Sequence, residues 1–205
     1  MHKIKQALFP QLFIIYTRYI IGGAFVFASI IKIKGQRFTR ESGETFPIHS
    51  AWHFFETMYQ SGRYWQFIGV CQLLAGLLLM TQRFSKLGAL CYFPIILNIF
   101  IITLSYSFHF TPVITGLMLL ANILLLLWDW NTLKMLCNLP FNIDNTITME
   151  KDILWQLLGV ILFIFTFLYR LLFNDYHLIT WFIVCLTLGL IGLIIGIYRE
   201  TKRVK

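Results

Sequence analysis

Long apolar runs separated by short polar segments dominate the hydrophobic pattern of this chain. Each run, with its flanks, is about 20 residues long, which as a helix gives the roughly 30 Å needed to cross a bilayer. The pattern predicts six such helices, near residues 9–31, 67–80, 87–104, 111–128, 153–172 and 178–198. We therefore expect an all-α membrane protein with six spanning helices.

The second and third runs form a hairpin over residues 65–105, and we expect the rest of the chain to be organised around it. Its polar turn carries Arg83 and Lys86, and short positively charged loops stay on the cytoplasmic side of a membrane. Along the whole chain, ten Lys and Arg residues lie on the side of this turn and six on the opposite, outer side. Both termini are therefore predicted to lie in the cytoplasm.

Composition supports the membrane class and excludes several others. The chain is 58% hydrophobic, and a soluble domain of 205 residues cannot bury so much apolar surface in one core. The net charge of +8 is explained by Lys and Arg at helix ends, so nucleic acid is not an expected partner. The first run is too long for a cleavable signal peptide. The four cysteines are scattered singly, which argues against thiol redox chemistry.

The outer connector, residues 32–64, is predicted to contain a short helix. Ser50 is a suitable N-cap for it, and Gly62 would end it. Trp52, Phe55 and Tyr59 recur at helical spacing on one face, which favours a helix that lies in the membrane interface. A loop anchored by the same aromatic residues is the alternative.

The last apolar run contains Gly189, Gly192 and Gly196, which together form a small-residue face. Such faces let helices approach closely, and they are typical of packing within a chain. A homodimer contact through this face is the alternative.

Three polar residues fall inside the apolar runs. Arg18 lies about nine residues into the first run, and two interpretations remain open: a buried charge pair, or a guanidinium that snorkels to the headgroups. Asn98 and Asn122 are near the midpoints of their helices, and we expect each to bond to the other or to a carbonyl freed by Pro94. A water-lined path is the alternative role for the two amides.

A polar pocket is a further hypothesis, at the outer mouth of the bundle. Basic residues near the end of the first helix would meet an acid of the outer connector, with a glutamine two turns down the second helix. This set suits an anionic lipid headgroup or a quinone, and its members are Arg37, Glu56, Tyr59, Trp65 and Gln72. The alternative, which the sequence favours, is a ring of snorkelling cations with one structural ion pair.

Catalytic and metal-binding motifs are not evident in the chain. His49 and His53 are four residues apart, but Pro47 disfavours a helix that would present both, and no closed ligand set accompanies them. We therefore predict neither a catalytic residue nor a metal or haem site.

Two segments, RYIIGGAFVFASIIKIKG and GVCQLLAGLLLMTQRFSKLGALCYFPIILNIFIIT, give the chain a family resemblance. Together they resemble the DoxX-like integral membrane proteins, and the outer segments GQRFT and FFETMYQSGRYW are similar to those of members from Bacteroidetes-type bacteria. The resemblance implies a four-helix bundle, here over residues 1–130. Residues 131–205 would then add an inner connector, two further spanning helices and a basic tail. Many members carry Glu where this chain has Gln72.

The same resemblance suggests a role in the bacterial inner membrane. DoxX-like proteins are similar to the membrane subunit of a thiosulfate:quinone oxidoreductase, so we expect a membrane subunit or accessory of a redox or stress-response system, with quinone or lipid as ligand. The alternative is a non-enzymatic membrane module, such as a chaperone, a small oligomeric pore or a defence accessory. Expected partners are membrane lipid, proteins of a redox or defence complex, and further copies of the chain.

Overall fold

The computed structural model describes residues 5–39, 41–136, 138–141, 149–173 and 178–203. Its helices, together with the 3₁₀ turn Met149–Lys151, are α1 (Leu8–Ile33), α2 (Ala51–Gln60), α3 (Arg63–Met80), α4 (Ser85–Ser105), α5 (Thr111–Trp128), α6 (Trp130–Leu136), α7 (Ile153–Leu172) and α8 (Leu178–Arg203). Six of them, namely α1, α3, α4, α5, α7 and α8, are long and apolar enough to cross a membrane. The predicted all-α class with six helices of spanning length is confirmed.

Helix α1, and not the predicted hairpin, is the central element of the bundle. It packs most extensively against α3 and also contacts α5 and α7. Its most apolar stretch is 78% buried inside the protein, against 28% for α4 and 11% for α8. Hydrophobicity alone does not reveal this difference, because a face covered by lipid and a face covered by protein are equally apolar.

Glycines set the close contact between α1 and α3. A Cβ atom on Gly76 would lie 2.8 Å from the carbonyl oxygen of Gly22, and one on Gly69 would lie 2.9 Å from the carbonyl oxygen of Ser29. The two backbones therefore approach each other to a distance that only glycine permits.

The glycines of α8 pack within the chain, as their spacing predicts. A Cβ atom on Gly192 would collide with Leu158 of α7, and one on Gly196 would collide with Trp155. The backbone oxygen of Gly189 accepts a hydrogen bond of 2.7 Å from the hydroxyl of Tyr16 on α1. The small-residue face of α8 is thus covered by α7 and α1.

The bundle has two ends that carry polar groups. The Arg18 end contains the turn 81–84, α6 and the 3₁₀ turn, and the Glu56 end contains the connector 34–62 and the link 106–110. Because α1 begins about 15 Å before Arg18 at 1.5 Å per residue, its first turns extend past the ends of α3 and α5. Arg18 is therefore level with Gln82 and Asp129, which lie within two residues of the ends of those two helices.

The connector between α1 and α3 contains the predicted helix, so the loop alternative is wrong. The Oγ of Ser50 accepts the N–H of His53 at 3.2 Å, and Gly62, with φ 59°, separates α2 from α3. Trp52 and Phe55 pack their rings on Phe108, with centroids 5.3 and 5.4 Å away. The aromatic face of α2 thus covers the link between α4 and α5.

Candidate functional site

Glu56 is the buried acid at the centre of the Glu56 end, where its side chain is only 2% exposed. Arg37 donates from Nε to both carboxylate oxygens, at 3.0 and 2.9 Å, and Gly43 donates its N–H at 3.1 Å. The hydrogen bonds from Arg37 hold the pKa of Glu56 below its usual range, and the Gly43 N–H adds to this effect against the cost of burial. The guanidinium of Arg37 also lies 5.0 Å from the ring centre of Tyr59.

Three of the five residues predicted for the outer pocket, Arg37, Glu56 and Tyr59, therefore come together in the structure. Their polar groups bind one another and fix the start of the connector to α2. This is the structural ion pair that the sequence favours as the alternative to a ligand pocket.

Trp65, the fourth predicted residue, is 1% exposed and donates from its indole N–H to the carbonyl of Gln36 at 2.9 Å. The ammonium of Lys32 lies 5.2 Å from the ring of Trp65 and 4.8 Å from that of Phe38, and it donates to the carbonyl of Ala28 at 2.8 Å. Lys32 is thus buried between aromatic rings near the end of α1 and does not extend into the surroundings as a snorkelling side chain would.

Gln72, the fifth predicted residue, is 2% exposed and lies on the face of α3 that packs on α1, between Gly69 and Gly76. Its Oε1 atom is buried and contacts no hydrogen-bond donor in the described part of the chain. A buried acceptor of this kind costs about 1–3 kcal/mol when it stays unsatisfied. Gln72 therefore offers a bound molecule or a water an unused acceptor next to the α1–α3 contact.

The two asparagines have different positions. Asn122 is fully buried on α5 and donates to the carbonyl of Ala89 on α4 at 3.1 Å, so it joins two helices as expected. That carbonyl is not the one freed by Pro94, which belongs to Leu90, four residues before the proline.

Asn98 lies on the exposed side of α4, so the interior position expected for it is wrong. The buried face of α4 includes Ala89, Tyr92 and Ile96. Asn98 follows Ile96 by two residues, which turns it about 200° away from that face.

Arg18 is the centre of a second polar cluster, which we call the Arg18 network. It is fully buried and donates to Oδ2 of Asp129 at 3.0 Å, to Oε1 of Gln82 at 2.9 Å and to Oε2 of Glu150 at 2.5 Å. Of the two interpretations left open by the sequence, the structure shows the buried charge pair. The network joins α1 to the α3–α4 turn, to the end of α5 and to the 3₁₀ turn before α7.

The backbone at Gln82 is shaped to fit this network. Gln82 has φ 58°, a left-handed conformation that a non-glycine residue adopts at a cost of order 1 kcal/mol. In this conformation its side chain is 3% exposed, and it reaches both Arg18 and the carbonyl of Ile15.

The Arg18 network contains two carboxylates and one guanidinium, so it carries one excess negative charge when both acids are ionised. Burial raises the pKa of the Asp129 carboxyl, and the charge of Glu150 adds to this shift. Arg18, Lys86 and Lys5 act in the opposite direction, and the ammonium of Lys86 lies 4.0 Å from Oδ1 of Asp129.

Asp129, Glu150 and Gln82 are functional candidates that the sequence reasoning missed. A signal for them was present, since each lies within three residues of the end or start of a spanning helix on the same side of the bundle as Arg18. Acids at the ends of neighbouring spans are the natural partners of an arginine near the same end.

Metal ligands do not converge in the described part of the chain. No group of three His, Cys, Asp or Glu side chains forms a metal site there. His49 precedes α2, so it does not share a helical face with His53. His2, Cys137 and His177 lie outside the described residues.

Comparison with known proteins places the chain in a family. No protein-family model matches it, and no solved structure matches it. The chain is 32% identical over 118 residues to the uncharacterized protein YwoB of Bacillus subtilis. These 118 aligned residues are 58% of this chain and 72% of YwoB. On this similarity, the chain belongs to the family of Bacillus subtilis YwoB.

Proposed function

We propose that the protein is an inner-membrane protein that serves as the membrane subunit or accessory of a redox or stress-response system. It binds a quinone or a lipid from its outer mouth, with Gln72 as a contact inside the bundle. The proposal rests on the buried, unpartnered Oε1 of Gln72, and the resemblance of two segments to DoxX-like proteins supports it.

The residues around Gln72 fit such a ligand in part. Its amide oxygen accepts a hydrogen bond, which the hydroxyl of a quinol can donate. Trp65 lies on the same face of α3 two turns away, and it contacts the buried ammonium of Lys32. A bound quinone would supply two-electron chemistry to a partner enzyme. Arg37 and Glu56 would not hold the ligand, because they already bind each other.

Substitution of Gln72 tests this site. We expect protein purified in mild detergent to retain a stoichiometric quinol or lipid, and Gln72→Leu to lose it, because leucine offers no acceptor for a hydroxyl of the ligand. Extraction followed by mass spectrometry measures the retained molecule. Gln66→Leu is the matched control, since Gln66 is an exposed glutamine on the same helix. Wild-type protein without a bound molecule, or equal loss in both variants, would overturn the proposal.

The orientation is proposed with both termini in the cytoplasm, which makes the Arg18 end cytoplasmic. In a cysteine-free background, Glu41→Cys should react with a membrane-impermeant maleimide in intact cells. Arg83→Cys should react only after the cells are permeabilised. Both positions are exposed, so access to the reagent decides the result. The reverse labelling pattern would show the opposite orientation.

A non-enzymatic membrane module is the second candidate, in the form of a chaperone, a small oligomeric pore or a defence accessory. It is favoured by the structural role of the two arginines, because Arg18 fastens two connectors to α1 and Arg37 fixes the start of its connector to α2. A ring-shaped oligomer that retains no quinone after purification would favour this candidate over the first.

A further inference from the structure

A shallow cleft lies beside the Arg18 network, between the start of α1 and the end of α5. It has a cavity volume of about 10 Å³, which is room for one group the size of a water molecule or an ammonium, and it is lined by Gln11, Ile14, Ile15, Trp128 and Glu150. One wall is therefore apolar, one is an indole ring, and one is a carboxylate. This combination of an aromatic face and a carboxylate is suited to a cation.

The charge around the cleft also favours a cation. Glu150 and Asp129 share the single guanidinium of Arg18, and the ammonium of Lys86 lies 4.0 Å from Asp129 on a side chain that is 43% exposed, so two acids at this end of the bundle attract cations. The chain itself supplies an ammonium here. Lys5 lies 5.8 Å from the ring centre of Trp128, and it acts electrostatically on Asp129.

We propose that this cleft is a binding site for a primary ammonium group, and that its ligand is the headgroup of an ethanolamine phospholipid. Lys5 is the occupant that the chain provides when no lipid is bound. Trp128 is the last residue of a spanning helix, so the cleft lies at the level of the headgroups. A primary ammonium can donate hydrogen bonds to the carboxylate, whereas the trimethylammonium of choline has no N–H to donate.

Lipid retention by the full chain tests this proposal. The protein is placed in nanodiscs with equal amounts of ethanolamine and choline phospholipids, and native mass spectrometry counts the lipids that stay bound. We expect the ethanolamine lipid to be retained in preference. Removal of the competing ammonium in Lys5→Ala should raise its retention about threefold, and Glu150→Gln should lower it about fivefold.

Controls make each outcome decisive. Glu200→Gln removes a carboxyl outside the cleft and should leave retention unchanged. Because Glu150→Gln also weakens the Arg18 network, Trp128→Leu serves as a second cleft variant, and gel filtration reports whether each protein is folded. Unchanged retention in Lys5→Ala, or equal loss in Glu200→Gln and Glu150→Gln, would overturn the proposal. If the protein binds soluble ethanolamine but does not retain the ethanolamine phospholipid, the ligand is a free amine. That result would overturn the lipid assignment.

Discussion

Replacement of Arg18 by leucine should destabilise the protein by about 3–5 kcal/mol, the usual cost of removing one partner from a buried ion pair. The substitution leaves Asp129 and Glu150 as buried carboxylates without their guanidinium, and it removes the hydrogen bond to Gln82. Thermal unfolding in detergent, followed by tryptophan fluorescence and gel filtration, measures the loss. Arg83→Leu is the matched control, because Arg83 is exposed in the turn next to Gln82.

Two further variants separate loss of charge from loss of packing at this site. Arg18→Lys keeps the charge but not the forked geometry, so its stability should fall between those of wild type and Arg18→Leu. The triple variant Arg18→Leu, Asp129→Asn, Glu150→Gln removes the unpaired charges and should recover part of the loss. Normal stability in both Arg18→Leu and Arg18→Lys would show that the pair contributes nothing and that headgroup contact suffices.

Gly159→Ala should have the second largest effect, after Arg18→Leu. It should destabilise the protein by about 3 kcal/mol, the upper end of the usual cost of adding a methyl group to a well-packed core. A Cβ atom at this position collides with the carbonyl oxygen of Met80, where α7 meets the end of α3. Backbone cannot rotate away as a side chain can, so α7 must move. The same unfolding assay measures the effect.

Gly23→Ala is the control for that substitution, and its expected sign is opposite. A Cβ atom on Gly23 meets its nearest neighbour, Trp181, at 3.9 Å, which is an ordinary contact. Alanine is favoured over glycine within a helix by about 0.5–1 kcal/mol. Gly23→Ala should therefore match or exceed wild-type stability, and similar losses in both variants would contradict the packing described for α7.

The spanning helices could be predicted from the sequence because lipid thickness fixes their length. The bounds expected for the fourth and fifth spans agree with α5, Thr111–Trp128, and α7, Ile153–Leu172. The centre of the bundle could not be predicted in the same way. α1 is buried because its glycines and Arg18 contact other helices. Those contacts join residues that are far apart in the sequence.

The candidate site could be predicted only in part from the sequence, because most of its contacts are also non-local. The pairing of Arg37 with Glu56 could be predicted because both lie in one connector, near the end of α1. The partners of Arg18 are 111 and 132 residues away, in connectors that hydrophobicity describes only as polar. Asn98 shows a different error. Its place near the midpoint of a spanning helix could be predicted from the sequence, but the face of α4 that packs against other helices could not, and that face decides whether Asn98 is buried.

The distance in sequence between Arg18 and its acids has a consequence for biosynthesis. At about 5–20 residues per second, translation reaches Glu150 roughly 7–26 seconds after Arg18. Neither carboxylate that will neutralise the guanidinium exists until Asp129 is added, 111 residues after Arg18, and Glu150 is added last. We expect the nascent α1 to stay near the membrane surface or the insertion machinery, with Arg18 in contact with water or phosphate, until α5 and the 3₁₀ turn arrive. The helix at the centre of the finished bundle would then be among the last to settle into place.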